Sequence, residues 1–286
     1  MTTTTSFLSL PPEIRNRIYI FALTPSGVLE YFENDASSGR KSFFYAAQHG
    51  IVSSGHGHSN HDTEYNQLQY VNRQLHSETA GLELKYAPVL VFNGLPDPTR
   101  PGGAQALRFL MSVSLKRRAW LSYIVIYDTP ALPHESFLRD TPETLTLLDQ
   151  ICSENENLCL CYHPPAWDLR PCLASIENCI FNGAMYALVL RGDDSARLFN
   201  PLRGFRMAQL LDDDDENYPL VVKQARAWRN TVSLKAVNFR FFPRIMDING
   251  EQSIGPGELA YFYYDPSSVF SELADFQLEQ WYKEGL

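Results

Sequence analysis

The sequence predicts an α+β fold: N-terminal helices with a β-hairpin, packed on a small mixed sheet with helical crossovers, then a C-terminal strand pair and helix. Three observations carry this. Apolar residues recur at helical spacing in several segments, and short aromatic and β-branched runs alternate with them. Helix-then-strand order also repeats through the middle of the chain, with strands near Val91, Ile124 and Leu160 spaced evenly enough for parallel pairing through helical crossovers. A chain of 286 residues with 44% hydrophobic content buries roughly 75% of the surface its unfolded form exposes. No stretch has the length and uniform composition of a flexible linker, so one continuous domain with loop insertions is expected.

Pro11 and Pro12 fix φ for a first helical turn, Glu13 sits at the positive end of the helix dipole, and Thr24-Pro25 stops the run. Ile14, Ile18, Phe21 and Ala22 then share one face. Residues 28–33 (VLEYFE) and 42–47 (SFFYAA) have strand composition around a polar turn and predict a hairpin. Residues 48–66, rich in Gly, Ser and His, read as an exposed loop. Leu68, Val71, Leu75, Leu82 and Tyr86, with Thr79 filling the gap, predict one helix that leads through Pro88 into the strand VLVF. A helix carrying Leu107, Leu110, Met111 and Ser114 precedes the strand LSYIVIYD. Thr141-Pro142-Glu143 has the cap, proline and acid order of a helix start, with Leu145, Leu148 and Cys152 as its stripe before the strand LCLCY. Residues 171–190 and 219–230 predict further helices. TVSLKAVNFRFF and ELAYFYY predict paired strands with a bulge between Leu234 and Phe239, ahead of a last helix over 268–283.

Charge and composition exclude some functions. With 24 Lys and Arg against 33 Asp and Glu, the net charge of -9 opposes binding driven by counterion release, so nucleic acid is not an expected partner. The opening MTTTTSFLSLPPEIR has neither a basic leader nor an unbroken apolar run, and no segment approaches the roughly 20 apolar residues that span a bilayer. A cytoplasmic or nuclear protein without a membrane partner is expected. An odd set of cysteines, Cys152, Cys159, Cys161, Cys172 and Cys179, fits a reducing compartment and mostly buried thiols.

Candidate chemistry is sparse. Cys159, Cys161 and His163 point to one side of a predicted strand. Two sulfurs on one zinc lie roughly 3.8 Å apart, whereas alternate strand side chains start about 6.7 Å apart, so the three are expected not to converge. His56, His58 and His61 lie in a loop expected to be solvated. Gly102 and Gly103 follow an apolar strand and open a helix, where N–H groups could meet an anion; a simple turn is the favoured reading. No glycine-rich phosphate loop, nucleophile elbow or HExxH helix occurs, and carboxylate pairs such as Asp193-Asp194 fall in apparent loops. No cofactor, metal or catalytic residue is expected, and the chain reads as non-enzymatic. Lys116, Arg117 and Arg118 end a helix, where they offset the carbonyl dipole. Among the dense aromatics Phe239, Phe241, Phe242 and 261–264, internal packing is expected for most. Phe242, Tyr261 and Tyr263 are the candidates for a recognition surface.

The segments LPPEIRNRIYIFAL, VNRQLHSETA and QICSENENLCLCYHPP resemble the F-box-like proteins abundant in filamentous fungi. The resemblance implies an adaptor. Its opening helices would dock on the Skp-type linker of a cullin ubiquitin ligase through Leu10, Pro11, Ile14 and Ile18, the motif's apolar anchors, while the remainder would hold a substrate for ubiquitin transfer. It makes residues 1–92 an F-box-like region with an inserted hairpin and loop, and 93–286 a recognition region continuous with it as one domain. Read from the residues alone, Leu10, Ile14 and Ile18 are core contacts packing the first helix on the Leu68 helix, the commoner fate of an amphipathic stripe. Arg73 and Glu78 form either a buried network or an exposed pair. Two alternatives stand beside the adaptor: a scaffold that docks no ligase, and an enzyme with an unfamiliar site.

Overall fold

The computed structural model describes residues 6–33, 42–46, 64–94, 100–128, 138–164, 186, 188–192, 220–229 and 231–242. In chain order they form α1 (Pro12–Leu23), β1 (Leu29–Phe32), β2 (Phe43–Ala46), α2 (Arg73–Thr79), α3 (Leu82–Tyr86), β3 (Leu90–Asn93), α4 (Gly102–Ser112), α5 (Leu115–Arg118), β4 (Tyr123–Tyr127), α6 (Pro142–Glu154), β5 (Cys159–His163), α7 (Leu220–Arg229) and β6 (Phe239–Phe241). Helices with a mixed sheet make the fold α+β. The chain forms two compact units, Met1–Val91 with Val113–Tyr123, and Phe92–Ser112 with Ile124–Leu286.

In the first unit the predicted hairpin is present: β1 and β2 pair antiparallel, with Leu29 opposite Ala46 and Phe32 opposite Phe43. β1 also neighbours β3, and the Leu29 N–H donates to the Val89 carbonyl at 3.0 Å. The single helix expected from Leu68 is instead three pieces: a 3-10 turn Gln67–Tyr70, then α2 and α3. The Asn72 side chain caps α2 by accepting the Leu75 N–H at 2.9 Å. Gly81, at φ +81°, turns the chain between α2 and α3 in a conformation that other residues avoid. The apolar spacing crosses both breaks, which is why periodicity alone joins the pieces. Asn66, expected in the loop, is buried and donates to the Thr79 carbonyl and the Glu83 carboxylate.

In the second unit the strand order is β3-β4-β5-β6. β5 and β6 run parallel, with Leu160 beside Phe239 and Tyr162 beside Phe241. Ile124, Val125 and Ile126 are all buried, as a parallel strand covered on both faces requires. α6 starts as the sequence predicts, with Thr141 as cap and Leu145, Leu148 and Cys152 inside. Residues 231–238 depart from the predicted strand. Val232, Leu234 and Ala236 are buried in alternation, yet the Asp149 carboxylate, not a neighbouring strand, accepts the Lys235 and Ala236 N–H groups. Residues 188–191 are helical, running one residue past the end of the predicted helix over 171–190. The paired strand ELAYFYY and the helix over 268–283 lie outside the described residues. Among the described residues no helix is long and apolar enough to cross a membrane.

Candidate functional site

The two motif helices meet in the first unit. Arg15, Tyr19 and Leu23 form the inner face of α1, where Tyr19 and Leu23 cluster with Leu75 and are packed by Phe7, Leu8, Leu68, Leu82 and Tyr86. Arg15 grips Glu78 with two nitrogens, Nε to Oε2 at 3.1 Å and Nη2 to Oε1 at 2.9 Å, the fork geometry that a guanidinium matches to a carboxylate. Its Nη1 donates to the Leu10 carbonyl at 2.6 Å, fixing the turn ahead of α1. The Tyr19 hydroxyl donates to Glu78 Oε2 at 2.5 Å and Gln74 Nε2 to Oε1 at 2.9 Å. These donors, Arg15 foremost, hold the Glu78 carboxyl down at about 2. Glu78 thus pairs with Arg15, while Arg73 is exposed on α2.

This arrangement reverses the expected face of α1. Ile14 is 42% exposed, Ile18 38% and Phe21 88%, so the predicted core stripe lies outside. Both faces of α1 carry apolar residues, and periodicity could not rank them. The Arg15–Glu78 anchor decides, because it turns Tyr19 and Leu23 inward. Of the expected partner contacts, Pro11, Ile14 and Ile18 are exposed and Leu10 is half-buried. Arg117, expected to offset a dipole at its own helix end, donates to the carbonyl of Ala80, the residue that closes α2, at 2.9 Å.

The second unit holds a buried polar cluster at the carboxyl ends of its strands. The Asp140 carboxylate accepts the Gly103 N–H at 2.8 Å and the Ala104 N–H at 2.6 Å, so an anion does sit at the start of α4, and the chain supplies it. A Cβ on Gly103 would stand 2.3 Å from Asp140 Oδ2. The Tyr162 hydroxyl lies 2.7 Å from Asp140 Oδ2 and 3.0 Å from Asp128 Oδ2. One phenolic hydrogen cannot serve two carboxylates, so one acid must itself be a donor. Burial, then the charge of Asp140, pushes Asp128 up to about 7. Asp140 is raised by burial too, but its two amide donors favour the anion. The consistent arrangement has Asp128 protonated and donating to Tyr162, which donates to Asp140. Arg139 donates its backbone N–H to Asp128 Oδ2 at 3.2 Å, and its Nη1 stands 4.0 Å from Oδ1. Asp128, Asp140 and Tyr162 are fully buried, so the cluster shares a proton internally and ties β4, β5, α4 and the start of α6 together. Sequence reasoning missed it. The available signal was an acid directly following an apolar strand and another directly preceding a helix cap.

On the opposite face of β5, the Cys159 and Cys161 sulfurs lie 3.9 Å apart. The expectation that strand spacing keeps them apart is therefore corrected: the side chains lean together although their backbone positions do not. His163 does not join them, being stacked between Tyr127 at 4.7 Å and Phe242 at 5.6 Å. Among the described residues no three His, Cys, Asp or Glu side chains form a metal-holding group. Phe242 is half-buried in this stack, while Phe239 and Phe241 are core. Tyr261, Tyr263, the His56, His58 and His61 loop, Asp193-Asp194 and the acidic run 212–216 lie outside the described residues. No known protein family, no curated protein and no solved structure matches this chain.

Proposed function

We propose that this chain is a non-enzymatic interaction adaptor of F-box-like type, whose α1 offers Pro11, Ile14 and Ile18 to a Skp-type linker while the second unit holds a protein substrate. The observation that carries the reading is the outward apolar stripe of α1, anchored from behind by Arg15, Tyr19 and Glu78. A helix that needed this stripe for its own core would not leave Ile14, Ile18 and Phe21 in solvent. The mechanism is proximity: a substrate held beside a charged ubiquitin carrier reacts at raised effective concentration without chemistry by this chain.

The test is a pull-down with purified Skp-type linker, comparing wild type with Ile14→Asp/Ile18→Asp. Both positions face solvent, so the variant keeps the wild-type circular dichroism and melting temperature. Binding falls at least about 30-fold, as loss of a central apolar contact at an interface implies. Equal binding by the folded variant, or none by wild type, removes linker docking. A stand-alone scaffold is the second reading, favoured by the β1–β2 hairpin inserted between α1 and α2, which a compact docking element does not need.

A further inference from the structure

We propose that Cys159 and Cys161 form a chelating dithiol that captures a thiophilic centre through two sulfurs, with trivalent organoarsenicals as the ligand class. The sulfurs face each other at 3.9 Å on one side of β5, Cys161 buried and Cys159 half-buried, so the pair is reached from the Cys159 end. Arg240, the register partner of Cys161 on β6, is exposed, so this side of the sheet is not sealed there.

Distance decides what the pair takes. A direct disulfide needs Cβ atoms about 3.8 Å apart, whereas same-face residues of a strand start roughly 6.6 Å apart. Closing the bond would contract β5 by nearly 3 Å and break its register with Phe239 and Arg240. One bridging atom, with bonds of about 2.3 Å at angles between about 100° and 109°, sets its sulfurs roughly 3.5 to 3.8 Å apart. That lies within a few tenths of an ångström of the observed spacing, and small χ1 adjustments supply the rest. The ligand number follows from the surroundings. With no third ligand group among the described residues, a four-coordinate ion is undersupplied. Trivalent arsenic that already carries a carbon substituent needs only two more sulfurs. Cys152 is fully buried on α6 and is not part of the facing pair.

The capture step is a condensation. An arsenoxide, R–As=O, and two thiols give R–As(SR′)2 and water: the arsenic–oxygen bonds break, two arsenic–sulfur bonds form, both thiol protons leave on the water, and arsenic stays trivalent. Phenylarsine oxide is the probe, used on the full chain carrying Cys172→Ser and Cys179→Ser, with native mass spectrometry and displacement by a small dithiol as readouts. The expected result is one phenylarsine per folded chain, unchanged by Cys152→Ser and weakened at least 100-fold by either Cys159→Ser or Cys161→Ser, since a single thiol loses the chelate advantage. Cys161→Ala repeats the measurement if the buried serine unfolds the chain. Capture that survives Cys159→Ser, that disappears with Cys152→Ser, or that is absent before any of these changes overturns the assignment.

Discussion

Single side chains in this protein act mainly by placing charge where a backbone group would otherwise lack a partner. Asp140 holds the first amides of α4, Asp149 holds those of residues 235 and 236, and the Asn238 NH2 lies within hydrogen-bond distance of the Cys152, Asn155 and Leu158 carbonyls. Each is a buried or half-buried polar group answering a buried backbone demand. Gly103 is the sharpest case, because a methyl group there would occupy the space of the Asp140 carboxylate. Gly103→Ala is expected to push Asp140 off two N–H donors and away from Tyr162, at a cost of about 2–4 kcal/mol. Urea unfolding measures it. A change below about 0.5 kcal/mol would mean that the carboxylate swings aside without loss, and that its contacts with α4 matter little.

At the scale of elements, local chemistry sets the ends of helices more strongly than apolar period does. The hairpin, β3 to β5, α6 and α7 were legible because their strand runs, caps and stripes agree with one another. The break in the second motif helix was not, since Val71, Leu75, Thr79 and Leu82 keep helical spacing across Asn72 and Gly81. The inner face of α1 was hidden for a related reason: its deciding contact, Arg15 to Glu78, spans 63 positions in sequence. The buried carboxylates were invisible because each partner comes from a different element. Two substitutions test the break. Asn72→Ala removes the α2 cap and is expected to cost about 1 kcal/mol. Gly81→Ala costs about 1–2 kcal/mol by forcing a side chain to positive φ while meeting the Arg117 guanidinium at 3.0 Å. If Gly81→Ala instead stabilises the chain, the helix runs through as its spacing suggests, and the break is wrong.

For the molecule as a whole, the two units carry proton linkages of opposite sign. In the first, Glu78 titrates at about 2 against an ordinary 4.5, so its contribution is present above pH 4.5 and is lost as pH falls towards 2. In the second, Asp128 titrates at about 7 against an ordinary 3.8, so the folded state prefers its proton. Its contribution is full below pH 3.8 and disappears as pH rises through 7, and Asp140, also raised, acts in the same direction. Of the groups facing Asp128, the charge of Asp140 opposes its ionisation, while the Tyr162 hydroxyl and the guanidinium and backbone N–H of Arg139 favour it. These two acids therefore give stability a maximum near pH 4 to 5, falling towards neutrality. Asp128→Asn keeps the shape and a donor for Tyr162 but carries no proton to lose. Relative to wild type it should gain stability between pH 5 and pH 8 by about 3 kcal/mol, given roughly 1.4 kcal/mol per pH unit over the two units from pH 5 to 7. Glu78→Gln should close its gap to wild type as pH is lowered from 5 to 3. Denaturant titrations of the three proteins at pH 3, 5 and 8 separate the limbs. An Asp128→Asn curve that stays parallel to wild type from pH 5 to pH 8 would mean that Asp128 neither gains nor loses its proton over that range, and that its linkage does not shape stability there.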